Sequence, residues 1–287
     1  MKMTMSRKTL FLLVALILSA NSNAWAVVLF GTTEGQDARL VTVDQNTGNL
    51  TDIGPTLFGA VQHAVLGLAF GPTGILYGVT EGSHFVKVDT STGTLSDIGP
   101  TIFGGAPRNL TALAFRSDGV LFGVIDTGLS LVTIDLLTGV LTGIGPIVWP
   151  DFPRTLTGLA FRSDDVLFGT MDGSGGGGRL MTVDQSTGAL TEIGLTNYLG
   201  APRGVTGLDF SPDDVLYGTL QNGLALGIID QNTGAVTGIG SNFFNGHPRT
   251  VEGLAFQPEP ETVIPEPSTF LLLGVGLLGL VFRRKLT

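Results

Sequence analysis

The stretch LTALAFRSDGVLFGVIDTGLSLVTIDLLTGVLTGI, residues 110–144, decides the fold. It contains four short apolar runs, Leu110–Phe115, 120–125, 129–134 and 140–144. Ser117-Asp118-Gly119 separates the first two, and Asp135-Leu-Leu-Thr-Gly139 the last two. Asp and Gly at such points supply local hydrogen bonds and positive φ, so the unit reads as four antiparallel strands joined by tight turns. No apolar pattern with a helical period runs through it.

Working outward, the unit recurs five times. Asp-x-x-Thr-Gly stands at 44–48, 89–93, 135–139, 184–188 and 230–234, in steps of 45, 46, 49 and 46 residues. Leu-(Ala/Asp)-Phe ends at Phe70, Phe115, Phe161, Phe210 and Phe256, and Leu-(Tyr/Phe)-Gly ends at Gly31, Gly78, Gly123, Gly169 and Gly218. A period in the forties with four strands per repeat predicts propeller blades or another repeat array.

Where the repeat is cut selects the ring. The body begins on a second strand (27–32) and ends on a first strand (Val251–Phe256). Closure lets that last strand complete the first blade and removes two sheet edges that would otherwise invite aggregation. An open solenoid needs capping ends instead. The expectation is an all-β, five-bladed propeller of four-stranded blades over 27–258, closed by pairing of the N- and C-terminal strands. Small residues at Gly67, Ala112, Gly158, Gly207 and Gly253 fit inner strands crowded around the axis.

The two ends carry addresses. Lys2, Arg7 and Lys8, an apolar stretch and Ala24-Trp25-Ala26 predict a signal peptide over 1–26, the substrate of a signal peptidase. A Pro/Glu-rich linker spans 259–268 and ends in Pro265-Glu266-Pro267 with Ser268. An apolar run over 269–282 follows, then the basic tail 283–287 with Arg283, Arg284 and Lys285. The order of motif, short apolar segment and basic cluster resembles the PEP-CTERM sorting signal of exported bacterial proteins. That resemblance implies handling by the membrane protease exosortase, with processing near Pro265, Glu266 and Pro267. The apolar run is shorter than the roughly 20 residues a bilayer-spanning helix needs, so it reads as a short transmembrane helix holding the membrane transiently. The basic tail would stay cytoplasmic and the body outside.

Composition narrows the function. The chain has no cysteine and a net charge of −9; residues 27–264 alone carry 9 basic and 23 acidic side chains. This excludes general nucleic-acid binding. His63, His84 and His247 show no metal-ligand spacing, and neither a serine elbow nor a cysteine nucleophile is present. The reading is therefore a non-enzyme without metal or cofactor. It is an exported cell-surface or extracellular-matrix protein with a structural or adhesive role.

Candidate binding residues cluster in two sequence patterns. Linkers into the inner strands repeat an aromatic and then Pro-Arg, giving Arg108, Arg154, Arg203 and Arg249, with Trp149 and Tyr198 among the aromatics. Three residues past each Leu-(Tyr/Phe)-Gly stand Glu34, Glu81, Asp126, Asp172 and Gln221. A propeller brings both patterns to one face. There, each Arg either pairs with an acid of a neighbouring blade or joins it in gripping an extracellular polysaccharide or an anion, a lectin-like alternative. Asp209, where the other four repeats have Ala, is the candidate channel group, or a hydrogen-bond partner of the adjacent blade.

Overall fold

The computed structural model describes residues 27–258 apart from positions 36, 127–129, 150–153, 172–176 and 224. The predicted signal peptide, sorting motif, transmembrane helix and basic tail lie outside the described residues.

The body is a five-bladed β-propeller, each blade a four-stranded antiparallel sheet. Blade 1 pairs Val251–Phe256 with Leu29–Thr33, followed by Arg39–Val43 and Leu50–Pro55. Blades 2 to 5 take their four strands in chain order. Their inner strands are Val65–Phe70, Leu110–Phe115, Leu156–Phe161 and Val205–Phe210. Closure is by regular pairing: Leu29 faces Phe256, Phe30 faces Ala255 and Gly31 faces Leu254. The Gln257 N–H extends the ladder to the Val28 carbonyl at 2.9 Å.

Three repeated contacts join blade to blade, and each uses a sequence marker. The Phe ending an inner strand packs on the second-strand aromatic of the preceding blade. The pairs are Phe70 on Phe30, Phe115 on Tyr77, Phe161 on Phe122, Phe210 on Phe168 and Phe256 on Tyr217, with ring centroids 5.3–5.5 Å apart. Each such pair contributes about 0.5–1.5 kcal/mol beyond its buried area. At the axis the inner strands touch directly: a Cβ on Gly67 would lie 3.1 Å from Leu113 N, and one on Gly253 2.9 Å from Leu68 N. At the rim, the Asp-x-x-Thr-Gly turn of each blade seats against a glycine of the preceding blade's outermost strand. Side chains at Gly54, Gly145, Gly194 or Gly240 would overlap the carbonyls of Thr92, Thr187, Thr233 and Thr47.

Threonine hydroxyls add a fourth link near the axis. Thr111, Thr157 and Thr206 donate to the carbonyls of Leu156, Val205 and Val251 in the next inner strand, at 2.6, 2.5 and 2.6 Å. The turn aspartates act inside their own turns. Asp44 accepts the N–H groups of Asn46 and Thr47 at 2.8 and 2.9 Å, and its four equivalents do the same. In the fourth blade the hydroxyl and N–H of Ser186, with Thr187, hold Asp184 down to about 2.

Candidate functional site

The propeller channel has two mouths. One, the linker side, is formed by the starts of the inner strands and the loops joining second to third strands. The other, the turn side, is formed by the ends of the inner strands and the turns that follow them.

On the linker side, the four connections described throughout are hairpins. Leu57–Phe58 pairs Val61–Gln62, Ile102–Phe103 pairs Ala106–Pro107, Asn197–Tyr198 pairs Ala201–Pro202, and Phe243–Phe244 pairs His247–Pro248. Gly104-Gly105, Leu199-Gly200 and Asn245-Gly246 take positive φ at both tip positions, as a type I′ turn requires. Sequence reading took these segments as plain connections, although Gly-Gly and Asn-Gly between an aromatic and a Pro were the available signal. A threonine closes the base: Thr56, Thr101 and Thr196 Oγ1 donate to the carbonyls of His63, Arg108 and Arg203 at 2.6, 2.5 and 2.5 Å.

The predicted residues of this side fall in several environments. Arg108 and Arg203 are exposed and make no ion pair among the described residues. Arg249 binds Asp37 at 2.9 Å, and Arg154 Nε donates to the Trp149 carbonyl at 3.0 Å. Among the described residues, none of these four arginines pairs with an acid of a neighbouring blade. Glu34, Glu81 and Asp126 are tied by backbone N–H to Thr250, Ala64 and Asn109, so each acid sits beside the inner strand of its own blade. Glu34, Glu81 and Asp126 are exposed. Asp172 lies outside the described residues, as do Pro265, Glu266 and Pro267.

The linker aromatics have structural partners. Each hairpin lies on the outermost strand of the following blade, and Tyr198 covers Gly238 there. In three blades an arginine or histidine at the start of the third strand meets the linker aromatic and an acid of the outermost strand. Arg39 stands 5.9 Å from the Phe244 ring and holds Asp52 at 2.7 and 2.6 Å. His84 stands 5.6 Å from Phe58 and 2.9 Å from Asp97. Arg179 stands 4.8 Å from Trp149 and pairs with Glu192, while Arg154 approaches the same indole at 5.8 Å. His63 also borders Phe58, at 6.0 Å, so two histidines meet on one ring.

Nearer the axis, Glu252 occupies the inner-strand position that Thr111, Thr157 and Thr206 fill elsewhere. Burial, and then the charge of Glu34 beside it, push its carboxyl up to about 7.

The turn side holds a concavity of about 460 Å³. Its wall is the ring of inner-strand ends, Phe70, Phe115, Phe161, Phe210 and Phe256. Asp209, the candidate channel group, lines it. Its two oxygens accept the N–H groups of Phe210 at 2.9 Å and Phe256 at 2.7 Å, the second across the closing blade boundary. Burial raises its carboxyl to about 7, against the lowering effect of the two N–H bonds.

Around this mouth runs a network the sequence reading did not single out. Arg116 grips Asp118 through two nitrogens at 3.1 and 2.7 Å and reaches Gln185 of the next blade at 3.0 Å. Ser117 gives its N–H and hydroxyl to Asp165 of that same blade at 3.1 and 2.8 Å. One blade on, Arg162, Asp164 and Gln231 with Ser163 and Asp214 repeat the arrangement. The signal was Phe-Arg-Ser-Asp at 115–118 and again at 161–164. Asp165 and Asp214 hold φ of 63° and 58° where the earlier blades have Gly74 and Gly119. A non-glycine residue there costs roughly 1–2 kcal/mol, and the serine bonds offset it.

Comparison with known proteins agrees with both halves of this description. Residues 263–285 match the PEP-CTERM protein-sorting motif, which makes this an exported protein processed by exosortase and anchored transiently at the membrane. No curated protein matches the chain in sequence. Among solved structures, a gluconolactonase from Xanthomonas campestris aligns over 79% of each chain at 14% identity, TM-score 0.50. A protein of unknown function from Bacteroides caccae aligns over 81% of this chain and 99% of its own at 9% identity, TM-score 0.50. Likeness at such identity is likeness of fold.

Proposed function

We propose that this exported propeller ends at the cell surface or in the extracellular polymer matrix and serves there as a structural or adhesive component without catalysis. The observation that carries the reading is the sorting motif at 263–285 behind a ring closed by its own last strand. Such a body is a rigid module delivered outside the cell. Its hairpins present exposed apolar residues, Val61, Leu199 and Phe243, on the face that also bears the exposed Arg108 and Arg203, with Leu199 and Arg203 in one linker. Exposed apolar residues and unpaired cations on one face suit contact with a polymer or a neighbouring surface. The linker aromatics cover outer strands, and the turn aspartates cap turns.

Fractionation of cells with and without exosortase tests the sorting half. Exosortase-positive cells should release a form shorter than the one kept in the membrane of the deletion strain; equal mass and location in both would reject processing. The role itself is tested by attachment of cells carrying Leu199→Ser, Phe243→Ser and Arg203→Ala together, expected to fall with the melting temperature unchanged. A lectin-like role, using Arg108 and Arg203 on a polysaccharide, is the second reading, and a glycan array on the purified protein separates it. Turnover in a polysaccharide hydrolysis screen would overturn the non-catalytic reading.

A further inference from the structure

We propose that the turn-side mouth is a binding site for a small organic cation, an ammonium group carried on an apolar body, with the ammonium seated on Asp209. Three observations carry this. The concavity of about 460 Å³ is of the size that holds a small molecule, and its wall is the apolar ends of five strands. Asp209 is the one carboxyl on that wall whose hydrogen bonds come from backbone N–H groups alone. The other charged groups lining the mouth are Arg116, Arg162, Asp165 and Asp214. Each arginine is held two-fold by its own aspartate, and Asp165 and Asp214 take the N–H and hydroxyl of a serine. No arginine, lysine or histidine among the described residues pairs with Asp209.

The third observation is that the other four blades fill the same position without an acid. Ala69, Ala114, Ala160 and Ala255 occupy the same position in the other blades. A half-buried carboxyl without a counter-ion disfavours its own ionisation, and it persists here where alanine serves four times. The Phe210 and Phe256 N–H groups fix its direction and leave lone pairs for a further donor. An incoming ammonium would supply the missing charge in a site of low polarity, where such a pair is worth more than in water. Anions are disfavoured by the three carboxyls around the mouth.

The site is independent of the adhesive reading, since it lies at the other mouth. The test uses the purified full-length protein, with phenethylammonium as probe and its neutral counterpart 2-phenylethanol as control, followed by calorimetry and NMR shift changes. The ammonium should bind at least about tenfold more tightly than the alcohol, the usual scale of one charge-assisted hydrogen bond. Its affinity should rise about tenfold between pH 6 and 8 as Asp209 gives up its proton. Asp209→Ala, the residue of the other blades, and Asp209→Asn should both lose the preference and the pH dependence while keeping their melting transitions. Equal affinity in Asp209→Ala, equal affinity for the alcohol, or no binding at pH 8 would each overturn the proposal.

Discussion

At the scale of single residues, the repeat supplies its own controls. Asn242 occupies the place of Thr56, Thr101 and Thr196 at the base of a linker hairpin, yet both its side-chain polar atoms are buried without a partner. Asn242→Thr restores the hydroxyl bond and removes two unsatisfied groups. It should stabilise the protein by about 1–3 kcal/mol, read as a shift of the denaturant midpoint at constant slope. Asp209 and Glu252 give a second test at this scale. Both carboxyls are raised to about 7 in the fold, so the unfolded chain ionises first as pH rises. Their contribution is full below the ordinary carboxylate range and is lost as pH climbs through 7. The denaturant midpoint should therefore fall between pH 5 and pH 8, and Asp209→Asn with Glu252→Gln should flatten that slope. An unchanged slope in the double variant would place the raised carboxyls elsewhere.

At the scale of elements, the blade-to-blade joints differ around the ring. Every joint has its aromatic pair and its glycine seat, but only the joints from blade 3 to 4 and from 4 to 5 carry the Arg-Ser-Asp network. Ser117→Ala and Asp165→Gly should couple in a double-mutant cycle, because the glycine also relieves the left-handed backbone; additive effects would deny the inter-blade bond. At the rim, Gly54→Ala drives a methyl into the Thr92 carbonyl and should cost roughly 1–3 kcal/mol in thermal unfolding. Much at this scale was legible beforehand. The three markers fixed which strands exist, because a turn chemistry and an apolar alternation repeat together. The linker hairpins were missed because two-residue strands carry no periodicity of their own. The turn-side mouth was missed for a different reason: its wall comes from five segments, each looking like an ordinary strand end. Only Asp209, as a break in a column of alanines, pointed there.

At the scale of the whole molecule, the ring depends on its last strand. A chain ended at Thr250 lacks the inner strand of blade 1 and leaves Leu29–Thr33 unpaired on one edge, along with the Phe256–Tyr217 contact. It should fail to give a cooperative melting transition by circular dichroism, and a transition like that of the intact body would contradict closure by strand exchange. Closure was readable from where the repeat is cut, since neither end could form a whole blade alone. What the repeat could not announce is that the turn-side mouth holds a hollow, for that depends on how the side chains of five blades fill the axis.

The completing strand ends at Phe256, seven positions before the sorting motif begins at 263. During passage out of the cell, the segment that finishes the body and the segment that addresses it therefore emerge almost together. Maturation and dispatch become nearly simultaneous events. A molecule halted before Val251–Phe256 docks would still be tethered, with a bare β-edge ready to recruit its neighbour.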